Sequence, residues 1–577
     1  MTPTQIVVCA ALTTLVALLV RGRQPPAALF GAVALLFVLL DYIPLPDAMA
    51  QFANPGLVTV LLLMLVSVVL DKSRLLEQAA GGLVRGPYRW ALVKLVGATS
   101  LYSALLNNTA VVASLIGPLR ASDAHPPSRL LLPMCYAASI GGILTLVGTS
   151  TNLLVNSFMI GRGMPALHLF DLLPVGLPIL VVCSATMVLL FPTLLPPRAI
   201  AATTPEAYFV EAQVLDGSPL AGRSVEAAGL RHLGHLFLSE IERNGRLIAP
   251  VGPDEVLVAG DHLVFAGDVT RLDLLAGFDG LAIEGQRAGL SMHNLVEVIV
   301  TVNSSIARRT LREVDFRSRF DAAVIALRRG DRRLSGRIGS IPLEVGDTLV
   351  LTAGPDFEKR NNLTRNFIVV SRPQVAKFVD PRHGLAALLG FVAVIGLAAF
   401  GTVHFIKGLL VLLTLFLLAG FTRLTELRRN APYPLVFIIG SALIISQVML
   451  SSGVAALLAD GVLGVFEPFG TMGALTGVLL LAWVLTELMT NNAAAALAFP
   501  IAIGIADRLG ASPMPFVMAV IYGASASFLT PYGYQTNLMV MAPGRYTLID
   551  YLRAGAPVAF AFLGVALFTI PVFFPFH

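Results

Sequence analysis

Apolar stretches of bilayer-crossing length recur along the chain and leave it few ways to fold. Ile6–Val20, Leu57–Leu70, Leu385–Phe400 and Leu409–Phe421 carry no charged residue. Each approaches the roughly 20 residues that a helix needs to cross the hydrocarbon core. Only 13% of the 577 residues are charged, against 56% hydrophobic, and mean hydropathy is +0.79. A water-soluble surface on a chain this long needs more charge, so the expected class is an α-helical polytopic membrane protein. Cys9, Cys135 and Cys183 all fall inside apolar runs. Their spacing fits neither a disulfide framework nor a metal site, and inert buried thiols are expected. The formal net charge of +5 requires no nucleic-acid partner, because basic cytoplasmic loops produce such an excess.

Charge divides the chain into membrane-like halves at 1–197 and 381–577 and a soluble-like middle. Spans are predicted near 6–20, 27–44, 56–71, 130–160 and 171–195, then near 385–402, 406–421, 432–451, 513–541 and 554–575. Each half also holds an apolar segment interrupted by polar residues: Lys94–Leu119, broken at Asn107 and Asn108, and 471–506, broken at Thr490–Asn492. Irregular backbone at membrane depth must face protein or a cavity, so both read as re-entrant hairpins.

Lys and Arg set the orientation. Loops holding Arg21 and Arg23, then Lys72, Arg74, Arg85 and Arg89, then Arg120 and Arg129, then Arg423, Arg428 and Arg429, and finally Arg545 and Arg553 should be cytoplasmic. Loops 45–56 and 452–470 contain no Lys or Arg and should be external. Arg21 and Arg23 follow the first apolar run, which argues for a retained first helix instead of a signal peptide. Five spans per half satisfy these assignments, and an odd number inverts the halves relative to each other. The expected fold is an inverted repeat of five spans plus one re-entrant hairpin per half. The first hairpin enters from the cytoplasmic side and the second from outside; both termini are external, in a bacterial-type inner (plasma) membrane.

The middle reads as α+β and repeats internally. Glu211 matches Glu297, Arg223 matches Arg309 and Gly260 matches Gly346, each offset by 86 residues (297−211, 309−223, 346−260). This predicts two copies of one small cytosolic domain, 206–290 and 291–375. The strands Gly260–Gly267 and Gly346–Gly354 give the pair a resemblance to tandem TrkA-C (RCK-C) domains, which implies an unknown cytosolic ligand. No GxGxxG follows a strand, so no NAD site or other organic cofactor is expected.

The chemistry is expected in four polar stretches, two per half. Asn107, Asn108 and Thr109 pair with Gly148–Asn152; Thr490, Asn491 and Asn492 pair with Gly533–Asn537. Small polar side chains in apolar spans often mediate helix packing. Polar tips and breaks at matching places in both halves point instead to a site. A broken helix offers free N–H groups at one half-helix, suited to an anion, and free C=O groups at the other, suited to a cation. A ligand-gated channel is the rival, because Tyr532–Tyr534 superficially looks like a selectivity filter, but a filter must repeat around a fourfold axis and this stretch occurs once.

These pairs resemble the divalent anion:sodium symporter family of the ion transporter superfamily, in the subgroup with two inserted TrkA-C domains. The resemblance implies a homodimer and two sodium sites. One would use Ser103, Asn107, Asn108 and the Gly148 carbonyl, and the other Thr486, Asn491 and the carbonyls of Met489 and Gly533. The anion would meet Asn107, Asn108, Thr109, Thr149, Thr490, Asn491, Asn492, Tyr534 and Gln535. The chain departs from the family pattern at Asn107, Thr490, Asn492, Tyr534 and Gln535. Bulkier groups there favour sulfate over a four-carbon dicarboxylate such as succinate. Glu487, beside Thr486, is either a proton or cation site or, more simply, a partner of nearby backbone.

Overall fold

A computed structural model describes the chain apart from residues 22–23, 71–81, 121, 123, 199–208, 231–232, 234–235, 244–245, 249–250, 268–277, 285–294, 302–303, 330–331, 335–337, 355, 358–359, 361–362, 372–380 and 400. Arg23, Lys72 and Arg74, used above for orientation, lie outside the described residues. Two compact units emerge: Met1–Pro197, Phe378–Val540 and Thr547–His577 form one, and Arg198–Lys377 with Met541–Tyr546 the other.

The first unit is helical. Its first half contains α1 (Pro3–Arg21), α2 (Pro26–Leu39), α3 (Leu45–Phe52), α4 (Pro55–Leu70), α5 (Tyr88–Leu105), α6 (Asn108–Arg120), α7 (Pro127–Gly142), α8 (Ser150–Gly161) and α9 (Leu173–Leu194). Its second half contains α10 (Pro381–Ala399), α11 (Phe405–Leu418), α12 (Leu424–Asn430), α13 (Tyr433–Ser451), α14 (Val454–Phe466), α15 (Gly470–Leu488), α16 (Asn491–Leu509), α17 (Pro513–Ser525), α18 (Gln535–Met541) and α19 (Leu548–Phe573). Seven helical stretches among the described residues are long and apolar enough to cross a membrane. Burial sorts them: 78% of the apolar window of α16 is buried, against 17% of that of α1. The helix that begins at the second polar tip therefore runs through the protein interior, while α1 presents most of its surface outward.

Two stretches expected to be loops are largely helical. Within 45–56, α3 seats Phe52 against Gly440 of α13, where any side chain would collide with the ring. Within 452–470, α14 buries Val454, Ala455 and Ala459, and these small residues let it approach Gly504 of α16. α3 and α14 have only 8 and 13 residues, and both fall in stretches without Lys or Arg, which charge placement alone marks as external loops.

The second unit contains two five-stranded antiparallel sheets. β1 (Phe209–Val214), β2 (Leu236–Arg243), β3 (Arg246–Ile248), β4 (His262–Gly267) and β5 (Leu281–Glu284) lie in the order β3-β2-β4-β1-β5. β6 (Leu295–Val300), β7 (Ala322–Arg329), β8 (Arg332–Leu334), β9 (Thr348–Ala353) and β10 (Phe367–Ser371) take the corresponding order β8-β7-β9-β6-β10. Register shifts fall at Leu238/Glu240 and at Val324/Ala326, positions 86 residues apart (324−238, 326−240). Arg243 binds the buried Asp261 carboxylate through Nε and Nη2, both at 2.8 Å, and Arg329 binds Asp347 likewise at 2.8 and 2.9 Å. Each pair ties a β-hairpin to the loop before the next strand, and the hydrogen bonds hold each guanidinium above its ordinary pKa.

Candidate functional site

Four chain breaks build the site. α5 ends at Leu105, and Leu106 turns extended at φ −117° and ψ 158°. The Asn107 side-chain oxygen then accepts the Thr109 N–H at 2.9 Å, supplying an acceptor for one of the orphan donors where α6 begins. In the second half α15 stops at Leu488, Met489 is extended, and α16 restarts behind Thr490 at φ −69° and ψ 148°.

The partner breaks, between α7 and α8 and between α17 and α18, share one hydrogen-bond frame. Asn152 Nδ2 donates to the Gly142 and Thr145 carbonyls at 3.2 and 2.9 Å. Gly148 N–H donates to Thr145 Oγ1 at 3.1 Å, and that hydroxyl donates to the Ala104 carbonyl at 2.5 Å. In the second half Asn537 Nδ2 donates to the Ser527 and Thr530 carbonyls at 3.0 and 3.1 Å. Gly533 N–H donates to Thr530 Oγ1 at 3.3 Å, which donates to the Glu487 carbonyl at 3.1 Å. Both glycines are needed for close approach: a Cβ on Gly148 would lie 2.5 Å from the Gly142 carbonyl oxygen, and one on Gly533 would lie 2.6 Å from that of Thr486. Thr145 and Thr530 were not singled out from the sequence. The signal was present, since Thr-x-x-Gly-x-x-Thr-Asn occurs at Thr145–Asn152 and again at Thr530–Asn537.

Each tip meets its partner break in a cluster of oxygens. At the first, Ser103 Oγ is hydrogen-bonded to Asn108 Oδ1. The Asn108 amide has two seatings, and without a bound cation only the one that turns its nitrogen toward those carbonyls of Gly148 and Ala138 satisfies both of its faces. In one, Oδ1 faces Ser103 and the carbonyls of Gly148 (3.1 Å) and Ala138 (3.2 Å), while Nδ2 donates to the Tyr534 hydroxyl at 3.0 Å. In the other, the amide nitrogen donates to those carbonyls and the amide oxygen accepts from Tyr534. At the second tip Thr486 Oγ1 lies 2.8 Å from both Asn491 Oδ1 and the Ala524 carbonyl. A hydroxyl has one proton for these two acceptors. Buried lone pairs thus outnumber protons at the second tip, and at the first in one amide seating, which is the donor set a dehydrated cation fits. The carbonyls of Ala138 and Ala524 join the expected ligands, and no residue type marks them in a sequence.

The residues expected around the anion are joined across the halves. Tyr534 of the second half is hydrogen-bonded to Asn108 of the first at 3.0 Å. Asn492 exchanges hydrogen bonds with Ser150, at 3.2 and 3.3 Å, and accepts from Thr151 at 3.3 Å. Thr109 is half-buried, and Thr490 and Gln535 are exposed beside the breaks. Asn107, Gly148 and Ser150 line a cavity of about 20 Å³ together with Met64 and Ser67 of α4, room for about one water. The Glu487 carboxylate accepts the backbone N–H groups of Phe528, Leu529 and Thr530 at 2.9, 2.9 and 3.0 Å, the simpler of its two expected roles. The buried Cys135 thiol donates to Asn537 Oδ1 at 3.2 Å.

A family model described as Citrate transporter matches residues 15–507. A Chlamydomonas reinhardtii protein provisionally named a sulfur deprivation response regulator is 32% identical, over 96% of this chain and 98% of its own. An uncharacterized transporter of Synechocystis is 28% identical, over 91% of this chain and 90% of its own. Sodium/sulfate cotransporter 2 of C. reinhardtii is 29% identical over 65% of this chain, a match spanning 44% of that longer protein. With its membrane-length helices, the chain is a multi-pass membrane transporter and belongs to the citrate transporter family, among the divalent anion:sodium symporters.

Proposed function

We propose that the protein is a sodium-coupled secondary active transporter of small divalent anions, with sulfate favoured, working by alternating access. The observation that carries this reading is the shortage of protons at the second tip, at Thr486, Asn491 and Ala524, together with the acceptor cluster that one seating of Asn108 builds at the first. A cation would relieve both. The anion would lie between the tips, near Asn108, Thr149, Asn492 and Tyr534, beside the positive dipole ends of helices that start at Asn108, Ser150 and Asn491. No Lys or Arg lies in the four polar stretches, so the positive charge that offsets a divalent anion would come from sodium. Relatives named sodium/sulfate cotransporters support the same pairing. The citrate description of the family model favours a second reading, a di- or tricarboxylate of the succinate or citrate type. Tyr534, in the position that Thr149 holds in the first half, argues for the smaller anion.

In this reading the halves are inverted repeats whose hairpins enter from opposite sides of an inner membrane. The two sheet modules are cytosolic TrkA-C-like domains that bias transport on binding a ligand, and the protein is a homodimer. Uptake of radiolabelled sulfate and of succinate into proteoliposomes, with and without an inward sodium gradient, tests the function. Sulfate accumulation that requires the gradient is expected. Sodium-independent uptake, or preference for succinate, would overturn the coupling or the substrate respectively.

A further inference from the structure

We infer that the Asn108 amide and the Tyr534 hydroxyl form a relay that converts sodium binding at the first tip into a hydrogen-bond donor for the anion. The inference rests on the sodium-coupled reading above and concerns how its two ligands are linked. A primary amide has an acceptor face and a donor face, and a phenol both donates and accepts. In one seating the Asn108 amide nitrogen serves the carbonyls of Gly148 and Ala138, and its oxygen accepts the Tyr534 O–H. That seating fills the first tip's cation position with N–H hydrogens and spends the phenol proton inside the protein. In the other seating Oδ1 joins Ser103 and the two carbonyls, and Nδ2 donates to the Tyr534 oxygen at 3.0 Å.

A cation among those oxygens tolerates only the second seating, because amide hydrogens directed at it would be repelled. Tyr534 then accepts from Asn108 at 3.0 Å, and its own proton is free for an anion beside it. Sodium therefore creates an anion donor without moving a helix. The relay exists in one half only: the position that Tyr534 fills after Gly533 is filled after Gly148 by Thr149, whose short hydroxyl cannot match a phenol's reach.

The test is radiolabelled sulfate binding to the purified full-length protein, with sodium and with choline in its place. Tyr534→Phe keeps the ring and removes the relay's proton. In choline it should lose clearly less sulfate affinity than in sodium, because the parent's phenol proton is already committed there. In saturating sodium its Kd should exceed the parent's by about tenfold, the cost of one hydrogen bond to a charged group. Linkage is reciprocal, so sulfate should raise sodium affinity less in Tyr534→Phe by the same factor. Equal loss in choline and in sodium, or no loss in either, would overturn the relay. A parent whose sulfate affinity ignores sodium would instead overturn the function on which the relay rests.

Discussion

The break at residues 142–148 and the break at 527–533 hold their backbones with the same side-chain bonds, yet they satisfy their remaining N–H groups differently. In the first, Leu146 N–H reaches the Leu169 carbonyl at 2.9 Å. In the second, the matching residue is Pro531, which has no N–H, and the three preceding N–H groups converge on the Glu487 carboxylate. At the position matching Glu487 the first half has Ala104, whose carbonyl takes the same threonine bond. Buried backbone donors must find acceptors, and the halves have found different ones. The Thr-x-x-Gly-x-x-Thr-Asn frame is what both require. The residues one step outside it, Ala104 against Glu487 and Thr149 against Tyr534, are free to differ and give each half its own chemistry.

The largest effect is expected where the halves differ. Glu487→Ala leaves three backbone donors without a charged acceptor and should cost roughly 4 kcal/mol, allowing for partial rescue by water. Thermal melting of the detergent-solubilised protein should show this as a large fall, with Glu487→Gln between variant and parent. A parental melting curve for Glu487→Ala would mean that the carboxylate does not hold the second break. The next effect is expected where the halves agree. Asn152→Ala and Asn537→Ala each strand two carbonyls and should each cost about 2–3 kcal/mol. Clearly unequal losses would break the equivalence of the two frames. Thr145→Val and Thr530→Val remove one hydroxyl each and should cost about 1 kcal/mol apiece in the same assay.

The periodicity of apolar runs made the membrane class legible, because bilayer thickness dictates helix length. The polar tips at Asn107 and Thr490 were legible for a related reason: amides and hydroxyls stand out where burial is costly. Less legible were features that depend on backbone. The carbonyls of Ala138 and Ala524 belong to residues whose side chains signal nothing, and the short helices at Leu45–Phe52 and Val454–Phe466 lack spanning length. Glu487 could be seen as an oddity in an apolar run, but its partners are main-chain groups some 40 residues away. Tyr534 was visible as a departure in size, whereas its reach to Asn108 depends on how the halves pack.

The most direct test of the two-tip site is equilibrium binding of labelled sodium and sulfate to the parent, to Asn108→Ala and to Asn491→Ala, each checked for monodispersity. Each amide offers an oxygen to a cation and N–H groups to an anion, so its loss should weaken both ligands by roughly ten- to a hundredfold. Asn→Ser at either position should be milder, because a hydroxyl keeps a donor and an acceptor. Folded alanine variants that bind sodium and sulfate with parental affinity would contradict the account and leave the polar tips as helix-packing devices.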